Sequence, residues 1–210
     1  MVDLDTGKVV AQLPAEAGTV KGAYENLLLV SLNGNPRTVQ QALRWDGTPV
    51  TDAADQIIVI DDEGDGIAEL LQFYRGNNTV WLLPDGTLLR EAVCQGSAVT
   101  SQTALLLGEK LRLLDLRTGE ELPLPDRGYN DAMALWPGKG DADYASGLFF
   151  ASYTDENGQT RTDILREDGT LLLENYACER SKWGWDYERS GVFRVEGGFR
   201  HIDGTWLYRE

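Results

Sequence analysis

The feature that most constrains the fold is a glycine-containing turn that recurs along the chain. Four of its six copies are Asp-Gly pairs flanked by strand-like residues, and glycine accepts the positive φ that such hairpin turns require. Successive turn glycines are separated by 40, 39, 33, 50 and 35 residues, with a mean of about 39. They are Gly7, Gly47, Gly86, Gly119, Gly169 and Gly204. A period of this length, made of strands and turns, is typical of β-propeller blades.

Each repeat holds three apolar runs joined by two turns, which predicts a three-stranded antiparallel meander. In the fourth unit these runs are Leu148–Thr154, Thr160–Arg166 and Thr170–Glu174. The other units begin at Leu27, Ile67, Ala104 and Gly191. Helix signals are scarce, since no window keeps apolar residues at helical spacing over three turns. The prediction is therefore an all-β chain, a β-propeller of about five blades built from three- to four-stranded antiparallel meanders.

The meanders must pack face to face, because one of them cannot bury both of its faces. Residues 1–210 are therefore predicted to form a single β-propeller domain. An extra hairpin over residues 1–12, around Gly7, is expected to close the ring with the C-terminal strand. The alternative is an open or incomplete fragment of a larger propeller.

The charge of the chain excludes two classes of partner. There are 34 acidic and 19 basic residues, which give a net charge of −15. Nucleic acids and anionic lipid surfaces are bound by clustered Lys and Arg, so both are excluded. The longest aliphatic runs are also far shorter than the roughly 20 residues that a membrane-spanning helix needs. We therefore expect no membrane insertion; the oligomeric state is left open.

The loop from Asp61 to Glu69 is the strongest candidate site. It follows the strand-like run Ile57–Ile60 and places acidic residues at loop positions 1, 3, 5 and 9, with Gly66 at position 6. This spacing suits calcium, because alternate residues of a tightly curled loop point inward and glycine permits the bend. The predicted ligands are Asp61, Glu63, Asp65, the carbonyl of Ile67, and Glu69. The alternative is a solvated acidic turn, although five carboxylates in nine residues would repel one another without a cation.

An EF-hand is disfavoured, because position 12 is Gln72 and the flanks are strand-like. A strand, then Asp-x-x-Gly-Asp-Gly-x-x-Glu-Leu, then a second strand resembles the FG-GAP/VCBS repeat family over Ile57–Gln72. The other units resemble WG-type repeats with Asp-Gly turns, for example Ser190–Val195 with Phe199–Arg209. The FG-GAP/VCBS resemblance implies a propeller, often with calcium in this loop, in a secreted or surface protein. Both resemblances imply binding modules that are not enzymes.

The densest aromatic segment supplies a candidate ligand surface. Trp183, Trp185 and Tyr187 are flanked by basic residues and could stack on a sugar or receive a peptide. The alternative is that these rings fill the gap between two blades. The other tryptophans are expected to be packed in the core or between blades; they are Trp45, Trp81, Trp136 and Trp206.

Signatures of catalysis are missing from the sequence. The single histidine, His201, lies in a strand-like run, and there is no Walker loop, GxSxG motif or histidine-based zinc spacing. No catalytic residue is predicted. Paired carboxylates could still make a small five-bladed glycoside-active enzyme, which is the alternative from a different class.

The compartment is only weakly indicated. The first residues do not form a secretory signal, so either the protein is intracellular or a leader was removed and a start Met added. The extracellular or cell-envelope location is what the family resemblance implies. Cys94 and Cys178 either form one disulfide or are two separate buried thiols.

The function predicted from the sequence is therefore a non-catalytic β-propeller binding module for a protein or glycan, with one calcium-stabilised loop. A structural repeat segment of a larger surface protein is the other alternative.

Overall fold

The computed structural model describes residue 13 and residues 15–32, 39–135, 146–176, 192–195, 197–201 and 205–209. In this part of the chain all regular secondary structure is β, with eighteen strands in five antiparallel sheets. No helix long and apolar enough to cross a bilayer occurs among these residues. The predicted hairpin at 1–12 and its closure of the ring lie outside the described residues.

Each sheet is a meander of strands that follow one another in sequence. The first sheet contains β1 (Ala17–Ala23), β2 (Leu28–Leu32) and β3 (Gln40–Leu43). The second contains β4 (Ile57–Ile60), β5 (Leu70–Arg75), β6 (Asn78–Leu82) and β7 (Leu88–Ala92). The third contains β8 (Gln95–Ala98), β9 (Thr103–Leu107), β10 (Arg112–Asp115) and β11 (Glu121–Leu122). The fourth contains β12 (Asp131–Ala134), β13 (Leu148–Thr154), β14 (Thr160–Arg166) and β15 (Leu171–Leu173). The fifth contains β16 (Val192–Val195), β17 (Gly198–His201) and β18 (Trp206–Arg209).

The prediction of an all-β chain of three- to four-stranded antiparallel meanders is confirmed. The predicted strands Leu148–Thr154 and Thr160–Arg166 agree residue for residue with β13 and β14. The meander assignments missed β1, β8 and β12, each of which is the first strand of its sheet, and left β4 outside its meander although Ile57–Ile60 was predicted to be a strand. The three missed strands are short or polar, and their pairing with an adjacent strand, not their own sequence pattern, makes them extended.

One predicted strand is wrong. Thr48–Asp52 was expected to be the third strand of the first unit, but this segment makes an isolated bridge from Pro49 to Leu43 in place of a regular ladder. Proline has no backbone N–H to donate to a ladder, and the N–H groups of Val50 and Thr51 both donate to Ala42 O, so the segment lies beside β3 without the alternation of a strand.

Contacts divide the chain into two compact units. The first consists of Met1–Asp61 and Asp65–Val93, and the second of Asp62–Gly64 and Cys94–Glu210. The single domain over 1–210 stays a prediction.

The second unit shows sheets packed face to face. Phe149 and Phe150 are adjacent in β13, are both fully buried, and belong to two different apolar clusters. Phe149 packs with Leu105 and Leu113 of the third sheet, whereas the cluster of Phe150 includes Trp206 of the fifth. Because successive side chains of a strand point to opposite faces, the fourth sheet is covered on both. This is the packing expected of a propeller blade.

The first unit buries a cluster drawn from its two sheets, in which Leu29 lies with Val59, Leu71 and Phe73. Trp81 is fully buried, as its strand-like context predicts, and its Nε1–H donates to Gln72 Oε1 over 3.0 Å. Burying the indole is favourable because its one polar group is paired.

The Asp-Gly turns that the structure describes, at Gly47, Gly86 and Gly169, share one construction. The N–H of Gly47 donates to Arg44 O, and the N–H of Arg44 donates to Thr48 O. The φ of Gly47 is +87°, while no aspartate of the described residues has a positive φ. These are therefore type I turns closed by a glycine in the left-handed region, and not the two-residue turns for which Asp-Gly is best known.

An aspartate completes each turn. The carboxylate of Asp46 accepts the N–H of Thr48 over 2.8 Å, and that of Asp85 accepts the N–H of Thr87 over 2.8 Å. These backbone hydrogen bonds hold the pKa of both carboxyls below its usual value. The same lowering of the pKa is found at Asp115, Asp155 and Asp168.

Candidate functional site

The acidic loop Asp61–Glu69 joins two paired strands of the first unit's second sheet. Ile60 is the last residue of β4, and it faces Leu70, the first residue of β5. The N–H of Glu69 donates to Ile60 O over 2.9 Å. Both ends of the loop are thus fixed by the sheet, so its middle must turn back sharply.

Asp61 organises this turn from a buried position. Only 2% of its surface is exposed. Its Oδ1 accepts the N–H of Asp65 over 3.1 Å, and its Oδ2 accepts the N–H of Gly66 over 2.8 Å. Gly64 and Gly66 have φ values of +69° and +86°, a region that side chains disfavour. The predicted role of Gly66 in permitting the bend is confirmed.

Three carboxylates converge inside the loop. Oxygens of Asp61, Asp65 and Glu69 all lie within 4.8 Å of one another. Oxygen ligands of Ca²⁺ lie about 2.3–2.6 Å from the ion, so two on opposite sides are separated by about 4.8 Å. The three side chains therefore have the chemistry and the spacing to hold one calcium ion.

One predicted side-chain ligand is not in this group. Glu63 is exposed, and its carboxylate does not belong to the converging three. The N–H of Ile67 donates to Asp65 Oδ1 over 2.9 Å, and coordination by its carbonyl stays a prediction. Of the four acidic side chains that the alternate spacing indicated, the fold brings three together.

Residues far from the acidic loop in the sequence also hold its backbone, and the sequence did not reveal them. The side chain of Asn26 donates to Ala68 O over 2.8 Å and accepts the N–H of Ala68 over 3.0 Å. Beside it, the N–H of Glu25 donates to Gly66 O over 2.8 Å. These residues lie about 40 positions before the loop, in an ordinary-looking Glu-Asn pair, so no local pattern marks them.

The predicted aromatic surface lies outside the described residues, since Trp183, Trp185 and Tyr187 all fall in 177–191. The expectation that Trp45 is packed is wrong: it stands in a turn and is 43% exposed. Its position directly before an Asp-Gly pair was the available signal, because these turns project from the sheet.

The second unit holds a buried ionic cluster around Asp163, which is fully buried. Its carboxylate accepts the hydroxyl of Tyr129 over 2.7 Å and the N–H of Asn175 over 3.0 Å, and lies 3.4 Å from Arg127. Burial and the hydrogen bond to Asp163 raise the pKa of Tyr129. Burial opposes the charge of Arg127, but its bond to Tyr153 and the charge of Asp163 outweigh this and raise its pKa. Every member is satisfied, as in a cluster that stabilises the fold.

No protein-family model matches the chain, and no curated protein matches it. It is similar in structure to the WD40 domain of Toxoplasma gondii coronin, with 11% identity and a TM-score of 0.40 over 72% of this chain and 44% of that one. The chain thus spans less than half the length of that domain.

Two other solved structures are similar. The computationally designed Ika4 protein is 12% identical, with a TM-score of 0.31 over 74% of this chain and 97% of that one. A protein of unknown function from Bacteroides caccae is 11% identical, with a TM-score of 0.29 over 82% and 87%. Likenesses this low carry no argument about ligands. The assignment of propeller-type blades rests on the meanders and their packing.

Proposed function

We propose that this chain is a non-catalytic β-propeller that binds a protein partner, and that calcium stabilises its Asp61–Glu69 loop. The convergence of Asp61, Asp65 and Glu69 within 4.8 Å carries the proposal. The FG-GAP/VCBS resemblance over Ile57–Gln72 supports it, because those repeats often place calcium in this loop.

The donor set favours calcium over softer metals. All three groups are carboxylates, which suit hard cations, whereas zinc sites commonly contain Cys or His. Within the loop, Asp61 already holds the turn through two backbone N–H groups. A bound cation would also link Asp61, at the start of the loop, to Glu69 at its end.

Calcium titration of the full chain, freed of metal beforehand, tests the proposal. Isothermal titration should give one site, and the melting temperature should rise with calcium and fall with chelator. At a concentration 100 times the dissociation constant, binding stabilises the folded state by about 2.7 kcal/mol. For a chain of this size that raises the melting temperature by about 5–11 °C.

Matched variants locate the site. Asp65→Asn keeps an acceptor for the N–H of Ile67 but removes one ligand charge, and Glu69→Gln removes another; both should weaken calcium binding by tenfold or more. Glu63→Gln changes the charge of the same loop outside the converging group, so its affinity should stay close to that of the wild type. No binding heat and a melt unaffected by calcium would overturn the calcium proposal.

An extracellular or cell-envelope location is part of the proposal. Calcium modules outside cells bind with dissociation constants of about 10⁻⁴–10⁻³ M, and we expect a dissociation constant in that range here. A dissociation constant near 10⁻⁷ M would instead favour a site that fills inside cells.

A further inference from the structure

A groove of about 570 Å³ lies in the first unit, beside the turns that follow β3 and β6. Its walls combine an aromatic ring, a proline and charged groups. They include Glu25, Arg44, Trp45, Asp46, Pro84 and Asp85. Both turns are of the recurring Asp-Gly type, so two successive sheets contribute equivalent turns to one groove.

Trp45 presents a fixed aromatic surface in this groove. Its Nε1–H donates to Tyr24 O over 2.9 Å, which anchors the polar end of the indole. Still, 43% of the side chain is exposed. An exposed tryptophan whose orientation is already set loses little freedom on binding, and this is typical of an anchor for a ligand.

The charges around Trp45 favour a cation. Glu25, Asp46 and Asp85 bring three carboxylates, against the single guanidinium of Arg44. Arg44 donates to the backbone O of Asp85 over 2.7 Å, and its charge acts on Asp46 and Asp85, so the lining has three negative charges and one positive charge, a net charge of −2. A Lys or Arg side chain over an indole face gains a cation–π attraction, and neighbouring carboxylates add to it.

We propose that the Trp45 groove binds a Lys or Arg side chain of a basic peptide segment, and that the Asp61–Glu69 loop sets one wall of the groove. This inference rests on the proposed function and names the chemistry of its partner. A neutral glycan could stack on the ring and hydrogen-bond to the carboxylates, but it would leave the net negative charge of the groove without a complement.

Hydrogen bonds join the loop to the groove. Gly66, whose N–H is held by Asp61, accepts the N–H of Glu25 over 2.8 Å. Asn26 is fastened to Ala68 by two hydrogen bonds. The turn that carries Glu25 also supplies the carbonyl that anchors Trp45. Ordering of the loop by calcium should therefore fix this wall and tighten peptide binding.

Fluorescence anisotropy with labelled tetralysine and the full chain tests the groove. Trp45→Ala should weaken binding about tenfold, which is within the range of a desolvated cation–π contact, and Trp45→Phe should lose less. The triple variant Glu25→Gln, Asp46→Asn, Asp85→Asn should also weaken binding. It keeps the turn acceptors, and its sites are exposed, so folding should persist.

A matched triple variant controls for general attraction to an acidic chain. Glu109→Gln, Glu120→Gln and Asp126→Asn alter exposed residues elsewhere and change the net charge equally; binding should stay within twofold of the wild type. Equal losses of tetralysine affinity in the two triple variants would overturn the proposal that the groove binds the peptide. It would also be overturned if the ¹⁹F signal of 5-fluorotryptophan at position 45 shifted with cellotetraose and not with tetralysine.

Calcium dependence is measured separately, with magnesium at the same concentration as a control for screening. At a calcium concentration that fills the wild-type site but not the weakened site of Asp65→Asn, calcium should lower the dissociation constant of tetralysine severalfold in the wild type and in Glu63→Gln, and by much less in Asp65→Asn. If calcium binds by titration but leaves peptide affinity unchanged, the link is refuted and the calcium site stands. If calcium does not bind but Trp45→Ala still weakens peptide binding, the proposed calcium site is refuted and the proposed peptide groove stands.

Discussion

A turn glycine can be required for two reasons: its positive φ, and the close approach of a neighbouring segment that leaves no room for a Cβ. Substitutions at Gly169 test the second reason. A Cβ added at Gly169 would lie 2.0 Å from Pro123 O, 3.2 Å from its carbonyl carbon and 3.4 Å from a methyl of Leu113. The φ of Gly169 is +82°. Gly158 closes a similar turn with a φ of +75°, but a Cβ there meets nothing within 4 Å. The two glycines therefore separate the cost of close approach from the cost of the left-handed backbone.

We expect Gly158→Ala to lower the free energy of unfolding by about 1 kcal/mol, which is the cost of placing alanine in the left-handed region. Gly169→Ala should cost this and about 1–3 kcal/mol more, because overpacking forces the turn away from Pro123. At roughly 2–4 °C per kcal/mol in a chain of this size, the Gly169 variant should melt several degrees lower than the Gly158 variant.

Urea unfolding followed by circular dichroism measures both costs. Asparagine variants sharpen the comparison, because asparagine tolerates the left-handed region. Gly158→Asn should be nearly neutral, whereas Gly169→Asn should remain destabilised. Equal destabilisation of the alanine variants, or a neutral Gly169→Asn, would show that the turn does not press on Pro123 and would refute the reasoning.

Two further predictions concern charged groups. Asp163→Ala should lower the free energy of unfolding by about 3 kcal/mol in urea titrations, because Tyr129 and Arg127 lose a buried acceptor. Tyr129→Phe, which leaves the ion pair in place, should cost about 1 kcal/mol, and similar losses in both variants would contradict the network. The turn aspartates should make stability depend on pH: their folded pKa lies below the ordinary value of 3.8, so their contribution is present above about pH 4 and is lost as the pH falls through the folded pKa. Asp168→Asn, which hydrogen bonds without titrating, should flatten this loss, and an unchanged pH profile would contradict the assignment.

Much of the repeat could be predicted because it is local. The turn Trp45–Thr48 is built from hydrogen bonds that span four residues or fewer, so the identity of the turn residues determines it. The strands β13 and β14 are long and β-branched or aromatic, and each pairs with its sequence neighbour. The spacing of acidic residues between two such strands likewise predicted that Asp61, Asp65 and Glu69 lie together, although it also placed Glu63 with them.

The first strands of the sheets could not be predicted in the same way. The strand β8, with the sequence Gln-Gly-Ser-Ala, has little β propensity of its own, and β9 makes it extended by offering a ladder of unpaired groups. Its conformation therefore depends on the sheet and cannot be predicted from its own four residues.

The sequence by itself determined the period, the glycine turns and the acidic loop, because each depends on residues that are neighbours in the chain. Only the tertiary structure decided that Glu63 stands apart from the other carboxylates, that Asn26 fastens the loop, and that Trp45 is exposed in a groove. These outcomes depend on which segments about 20 to 40 residues apart come into hydrogen-bonding distance, and close packing of whole sheets sets that distance.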